Sequence, residues 1–364
     1  MPPITLFRYI SLRTLTAVAA LFVILMTLIM LIDLIENLRF ADKFQGADFG
    51  FALTTTLLRA PSLSQAMLPF VFLFASIWLF TQLNRRAEIA VMRSAGLSVW
   101  RLIGPAAFVA AMTGFIIITI ADPAATHMRA QSERMKDALR GKTSSIVRVF
   151  GDGIWLRQHD ADNLLLINAH SFDSGRAALT QVVMWRLNRD SNFIERIDAP
   201  EAILSGNTIE LYKARVKGAD EQLDHRTPIY AIPTSLTPAD LDERIEPPET
   251  LSIWRLPKFI ILAKAAGLPT AAYNIRFHDL CSTPLKLLAM VLIAAMFSLR
   301  PVRSGGGLKL FLFAIGAGFL LYILSEISTA LGESALAPVS LAAWTPAIVA
   351  TLVAISGLLY MEDG

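Results

Sequence analysis

Arg85, Arg86, Glu88 and Arg93 fall within the stretch NRRAEIAVMRSAG at 84–96, which lies between two long apolar runs. Arginines beside a carboxylate on a short helix are suited to ionic docking, because the stretch holds no nucleophile–base pair and no set of metal donors. Ala87, Ile89, Ala90, Val91, Met92 and Ala95 give it a compact apolar surface, and Gly96 is placed to end the helix. An amphipathic loop resting on anionic headgroups accounts for the arginines. It accounts poorly for Glu88, since a carboxylate gains nothing from an anionic surface, whereas a partner protein with a basic groove would use it. The residues alone leave both readings open.

Other chemistry is thinly represented. No G-x-x-x-x-G-K-[ST] phosphate loop occurs, and SGGGLK at 304–309 has neither its spacing nor a preceding strand, so the chain is not expected to hydrolyse ATP. His127, His159, His170, His225 and His278 are scattered without ligand spacing, and G-x-S-x-G and H-E-x-x-H are absent; no catalytic residue and no metal site is expected. Cys281, a lone cysteine, excludes an internal disulfide and reads as a small apolar packer. Ionisable residues also stand at the ends of apolar runs. Asp33, Glu36 and Arg39 close the first run, with Glu36 and Arg39 spaced to pair, and Glu326 sits near the end of the fifth among Ser325, Ser328 and Thr329. Such residues are functional suspects, although snorkelling to the interface is the commoner explanation.

The elements that must position these groups are membrane helices. The chain has 364 residues, 54% hydrophobic and 17% charged, with a mean hydropathy of +0.52, too oily for a soluble protein of this size. Six runs are long enough to span a bilayer, at roughly 12–34, 61–83, 100–121, 279–299, 308–330 and 339–360. The first is too long for a signal peptide and has no small-residue cleavage site after it. Arg8 and Arg13 precede the first run; Arg85, Arg86, Arg93 and Arg101 lie between the second and third; Arg300, Arg303 and Lys309 lie between the fourth and fifth. By the positive-inside rule these places, and both chain ends, are cytoplasmic. Pro69 and Pro346 are expected to kink the second and sixth spans. Ala314 and Gly318, four apart, form a small-residue face that calls for a neighbouring helix.

The topology puts residues 122–278 outside the inner membrane, between spans 1–121 and 279–364. After a helical stalk, DPAATHMRAQSERMKDALRGK, come short runs such as SIVRVF, IWLRQ, NLLLINAHSF, LTQVVMWRL and TIELYKARV, separated by Gly, Asn and Asp. Strands of that length and spacing predict an all-β sandwich or jelly roll. A linker with Pro228, Pro233, Pro238, Pro247 and Pro248 ends it, and LSIWRLPKFIILAKAAGLP, partly helical, leads back to the membrane.

Taken end to end, the chain resembles the LptF/LptG family, permease subunits of the lipopolysaccharide export ABC transporter, and is most like the LptG members. The likeness is carried by RYI at 8–10, RRAEIAVMRSAGLS at 85–98, PLKLLAMVLIAAMFSLRPVRSGG at 284–306 and LSIWRLPKFIILAKAAG before the fourth span. The resemblance implies a bacterial inner-membrane protein with a periplasmic jelly roll and a cytoplasmic coupling helix at 84–98, seated in a groove of an LptB ATPase dimer. Arg85, Glu88, Ile89, Met92 and Gly96 match the coupling pattern. It implies an LptF-type partner permease, LptC, and lipopolysaccharide drawn from a cavity between the permeases. ATP with Mg²⁺ would be bound by LptB, and no cofactor is implied for this chain. The outer part of the first helix, with Phe22, Met26, Asp33, Glu36 and Arg39, would face lipid, and Ala314, Gly318 and Glu326 would serve helix packing or gating. Asp33 stands where relatives often carry Lys and position 40 is Phe, so weaker phosphate recognition, suited to an altered lipid A, is expected. Two other readings remain: a permease of another ABC system that transmits force without carrying lipid, and a receptor-like anchor for a periplasmic binding domain.

Overall fold

Each of the six apolar runs folds as a helix. They are α1 (Pro3–Ala41), α2 (Phe49–Arg85), α4 (Val99–Ile116), α7 (Ala271–Ser298), α8 (Gly307–Glu333) and α9 (Val339–Asp363), all long and apolar enough to cross a membrane. A short α3 (Glu88–Ser94) sits between α2 and α4. In this computed structural model the described residues are 3–44, 47–139, 146–150, 153–159, 163–173, 176–188, 193–205, 208–218, 224–234, 247–265, 268, 270–299, 307–334 and 336–363. Arg300, Arg303, Pro238 and residues 304–306 of SGGGLK lie outside them. The chain divides into two units, Met1–Ser132 with Asn274–Gly364, and Glu133–Tyr273.

In the first unit α2 and α7 are the most deeply buried spans. Phe72, Phe80 and Leu83 of α2 meet Leu102 and Ile103 of α4 and Leu287, Met290 and Val291 of α7 in one apolar core. Lipid tails are as apolar as leucine, so helices gain from meeting where they can come close. Gly114 of α4 lies against Pro284 of α7, and Gly332 of α8 lies against Ile275 and Ala342. The Ala314–Gly318 face has the neighbour it called for: Ala314 is buried, and Gly318 lies against the Leu73 side chain of α2. Pro69 and Pro346 are contained within α2 and α9, which continue through them.

The third span is longer than its apolar run. After α4 comes a π-helical turn, Ile117–Ala121, and then α5 (Asp122–Leu139). The widened turn stands just before Pro123, which has no N–H for the carbonyl four residues earlier. The start of α5 belongs with the membrane helices. Asp122, fully buried, pairs with Arg276 of α7 at 3.2 Å, and Ser132 Oγ donates to the carbonyl of Thr55 at 3.3 Å. The middle unit therefore runs from 133 to 273 rather than from 122 to 278, because the first turns of the stalk and of α7 pack on membrane helices.

The second unit is the expected all-β domain, built on one antiparallel sheet of β1 (Ile146–Phe150), β2 (Gly153–His159), β3 (Asn163–Ala169), β4 (Ser171–Asp173), β5 (Ala178–Asn188), β6 (Phe193–Ser205), β7 (Thr208–Gly218) and β8 (Asp224–Pro233). The order is β1-β2-β3-β5-β6-β7-β8 with β4 beside β5, so these strands pair in chain order as a meander, with no crossed connection among the described residues. Residues at every second position bury one face: Leu165 and Ile167, Val182 and Met184, Ile209 with Leu211. Gln181 and Lys213 take left-handed backbone, and Pro200 and Pro228 stand opposite them where pairing is skipped, so one line of irregularity crosses β5 to β8. The return segment forms α6 (Leu256–Ala265).

Candidate functional site

The charged stretch is not one helix from 84 to 98. It is the end of α2, a break at Arg86 and Ala87, the seven-residue α3, and a turn at Gly96. Ala87 adopts left-handed backbone at φ 57°, which costs an alanine about 1 kcal/mol and turns the chain sharply out of α2. Gly96, at φ 81°, closes α3 as anticipated: its N–H reaches the carbonyl of Arg93, and that of Leu97 reaches Met92. Ser98 caps α4 by accepting from the N–H of Arg101 at 3.4 Å.

Burial sorts the residues of α3. Ile89 is 5% exposed and Met92 packs against the same core, so both hold the loop to its own chain and do not face outward. Val91 is 65% exposed, in company with Arg85, Ala90, Arg93, Ser94 and Ala95. The sequence counts Val91 in the apolar surface, but the family pattern assigns docking to Ile89 and Met92, because a seven-residue helix shows too few turns for its inward face to be read. Glu88 is also engaged within the chain. Its Oε2 accepts from the Tyr9 hydroxyl at 2.8 Å and its Oε1 lies 3.7 Å from Arg13 Nη1, both on α1. A basic groove on a partner is not needed to account for it.

The outer end of α1 separates into two faces. Asp33 is buried and turned toward α2: Arg59 Nη1 donates to its Oδ1 at 2.7 Å, and Asn37 Nδ2 donates to its Oδ2 and to Thr56 Oγ1, each at 2.8 Å. Asp33 therefore does not face lipid, and its charge is neutralised inside the bundle. The expectation that it weakens phosphate recognition loses its basis. Phe40 packs with Phe44 and Phe51. Glu36 and Arg39 lie on the exposed face beside Ile32 and Ile35, and their predicted mutual pairing is absent among the described residues. Phe22 packs on the core and Met26 is half-buried. On α8, Glu326 is exposed, one turn beyond Tyr322, whose ring packs on Phe70 of α2.

In the β domain the second face of the sheet is apolar as well. Trp155, Leu166, Trp185, Leu187 and Phe193 line a cavity of about 270 Å³, with the two indoles stacked at 5.5 Å.

The model of the lipopolysaccharide export system permease LptF/LptG family matches residues 8–360. The chain belongs to the LptF/LptG family. It is 25% identical over 338 residues, 89% of each chain, to the lipopolysaccharide export system permease protein LptG of Haemophilus influenzae. It is 23% identical over 321 residues, 84% of this chain and 85% of the relative, to the protein of that name from Escherichia coli K12. Six membrane helices with an inserted antiparallel sheet domain are thus the architecture of an LptF/LptG permease, a multi-pass inner-membrane protein of an export system with several subunits.

Tyr9 and Arg13, which hold Glu88, escape sequence reasoning: Tyr9 reads as part of the RYI motif and Arg13 as an inside charge, and nothing in the spacing of Tyr9 reveals a partner 79 residues away. Gly114 and Pro284 also gave no signal, since a glycine in an apolar run looks alike whether or not another backbone lies against it.

Proposed function

We propose that this chain is a lipopolysaccharide-extracting permease moved from the cytosol by a separate ATPase. The observation that carries the reading is the outward face of α3, an apolar and basic surface on a chain that has no nucleotide-binding motif. An LptB-type ATPase dimer, holding ATP and Mg²⁺, would seat this face, and an LptF-type permease would stand opposite to form a heterodimer. Both termini and the α2–α4 loop would be cytoplasmic, and the sheet domain periplasmic, where it would pass lipid onward to an LptC-type bridge.

The outer face of α1 suits an amphiphile. Ile32 and Ile35 present apolar surface while Arg39 offers a guanidinium to phosphate, with Asp33 removed from the face and paired to Arg59. Acyl chains leaving a bilayer lose about 0.8 kcal/mol per CH₂ exposed, so an apolar receiver must be at hand. The Trp155–Trp185 cavity supplies one in the sheet domain.

Val91→Glu tests the docking face. It is expected to cut co-purification of the ATPase subunit roughly tenfold while the chain's own melting point stays put, because position 91 has no packing to lose. Retained co-purification would remove this face from the interface. Arg39→Gln is expected to weaken binding of phosphorylated lipid A roughly fivefold and leave binding of the phosphate-free form unchanged. Equal weakening of the two would mean that Arg39 does not read phosphate.

A further inference from the structure

The polar cluster joining α3 to α1 fits a mechanical role that docking does not absorb. Glu88 stands at the first position of α3, and both of its oxygens are directed at α1: one takes the Tyr9 hydroxyl at 2.8 Å, the other faces Arg13 Nη1 at 3.7 Å. The Arg13 guanidinium lies over the Tyr9 ring at 4.7 Å, so the three side chains form a closed set. At 3.7 Å the ion pair is too long for a hydrogen bond, and Arg13 Nη1 is buried without one. An approach of about 1 Å would convert it to a charge-assisted bond at the usual length and satisfy that donor.

The surroundings say what such a change would move. α3 joins its flanking helices through Ala87 and Gly96, both left-handed, so it is set off from α2 and α4 by turns. α1 is one uninterrupted helix of 39 residues. From Tyr9 to Arg39 it extends roughly 45 Å at 1.5 Å per residue, and a displacement at its cytoplasmic end reaches the outer end as rigid-body motion.

We propose that Glu88 is a positioning residue that latches α3 to α1 through Tyr9 and Arg13, so that pressure on α3 tightens the latch and drives α1, carrying the exposed Glu36–Arg39 face with it. The inference rests on the reading of α3 as the element pushed by an ATPase.

The test uses the reconstituted complex with its ATPase and partner permease, comparing Tyr9→Phe, Arg13→Gln, Glu88→Gln, Glu88→Arg and the exchange Arg13→Glu with Glu88→Arg. Lipopolysaccharide released per ATP hydrolysed is expected to fall about threefold for Tyr9→Phe and about tenfold for Arg13→Gln and Glu88→Gln, with the exchange returning to within about threefold of wild type. A second readout needs no lipid: a spin label at Ile35→Cys, in a Cys281→Ala background, reports ATP-dependent movement of the outer end of α1. That movement is expected to vanish in Glu88→Gln and to return in the exchange. Failure of the exchange to improve on Glu88→Arg in either readout, or its failure to hold the ATPase, would make Glu88 a partner contact and overturn the latch. Wild-type ATP-driven movement at position 35 without any lipid release would instead sink the export reading and leave the latch standing.

Discussion

Gly114→Ala is expected to lower the melting point of the detergent-purified chain by several degrees, whereas Gly104→Ala in the same helix leaves it unchanged or raises it. A methyl at 114 would stand 2.5 Å from Pro284 Cα and 2.9 Å from its nitrogen, and backbone atoms cannot step aside as a side chain would. At Gly104 nothing lies within 4 Å of the added carbon, so the usual helix preference for alanine is all that changes. Forcing the two helices apart costs on the order of 3 kcal/mol, the upper range for overpacking. The damage extends along the seam. Asp122 and Arg276 stand eight residues from Gly114 and Pro284 respectively on antiparallel helices, so the same separation lengthens their 3.2 Å pair around a fully buried carboxylate. Equal melting points for the two variants would show that α4 and α7 do not meet at Gly114.

Arg59→Met is expected to destabilise the chain by about 3 kcal/mol, and the double variant Asp33→Leu with Arg59→Met to recover most of that loss. Removing the arginine strands a buried carboxylate whose remaining donor is Asn37 Nδ2, and an amide offsets a charge poorly. Removing both charges leaves an apolar contact between α1 and α2, with Asn37 Nδ2 still donating to Thr56 Oγ1. The partial exposure of Arg59 holds the figure to the low end of the range for broken buried pairs. Denaturation of both single variants and the double one gives the coupling energy directly. A double variant as unstable as Arg59→Met would mean that the pair is dispensable and that the arginine acts through its packing.

The Asp33–Arg59 pair fixes α1 to α2 near the periplasmic end of the proposed topology, and the Glu88 cluster fixes α1 to α3 at the other. Between them α1 packs through Ile10, Thr14 and Val18 on one narrow stripe and leaves Val23, Ile24, Leu28 and Leu31 exposed. A helix tied at two polar points and lightly packed between them is well placed to shift as a unit.

By itself the sequence determined the six spans, the inserted sheet domain, the sites of basic charge and the glycine that ends α3. Each of these follows from length, period or local backbone preference, and those are properties of neighbouring residues along the chain. Which charged groups face lipid and which are spent inside was decided by the tertiary structure alone. Asp33 and Arg39 stand less than two turns apart on one helix, and a rotation of that helix about its axis would exchange their surroundings; what fixes the rotation is Arg59, 26 residues away. Glu88 is likewise assigned by Tyr9 and Arg13, and Gly114 by the backbone of Pro284, partners that no local pattern in the chain announces.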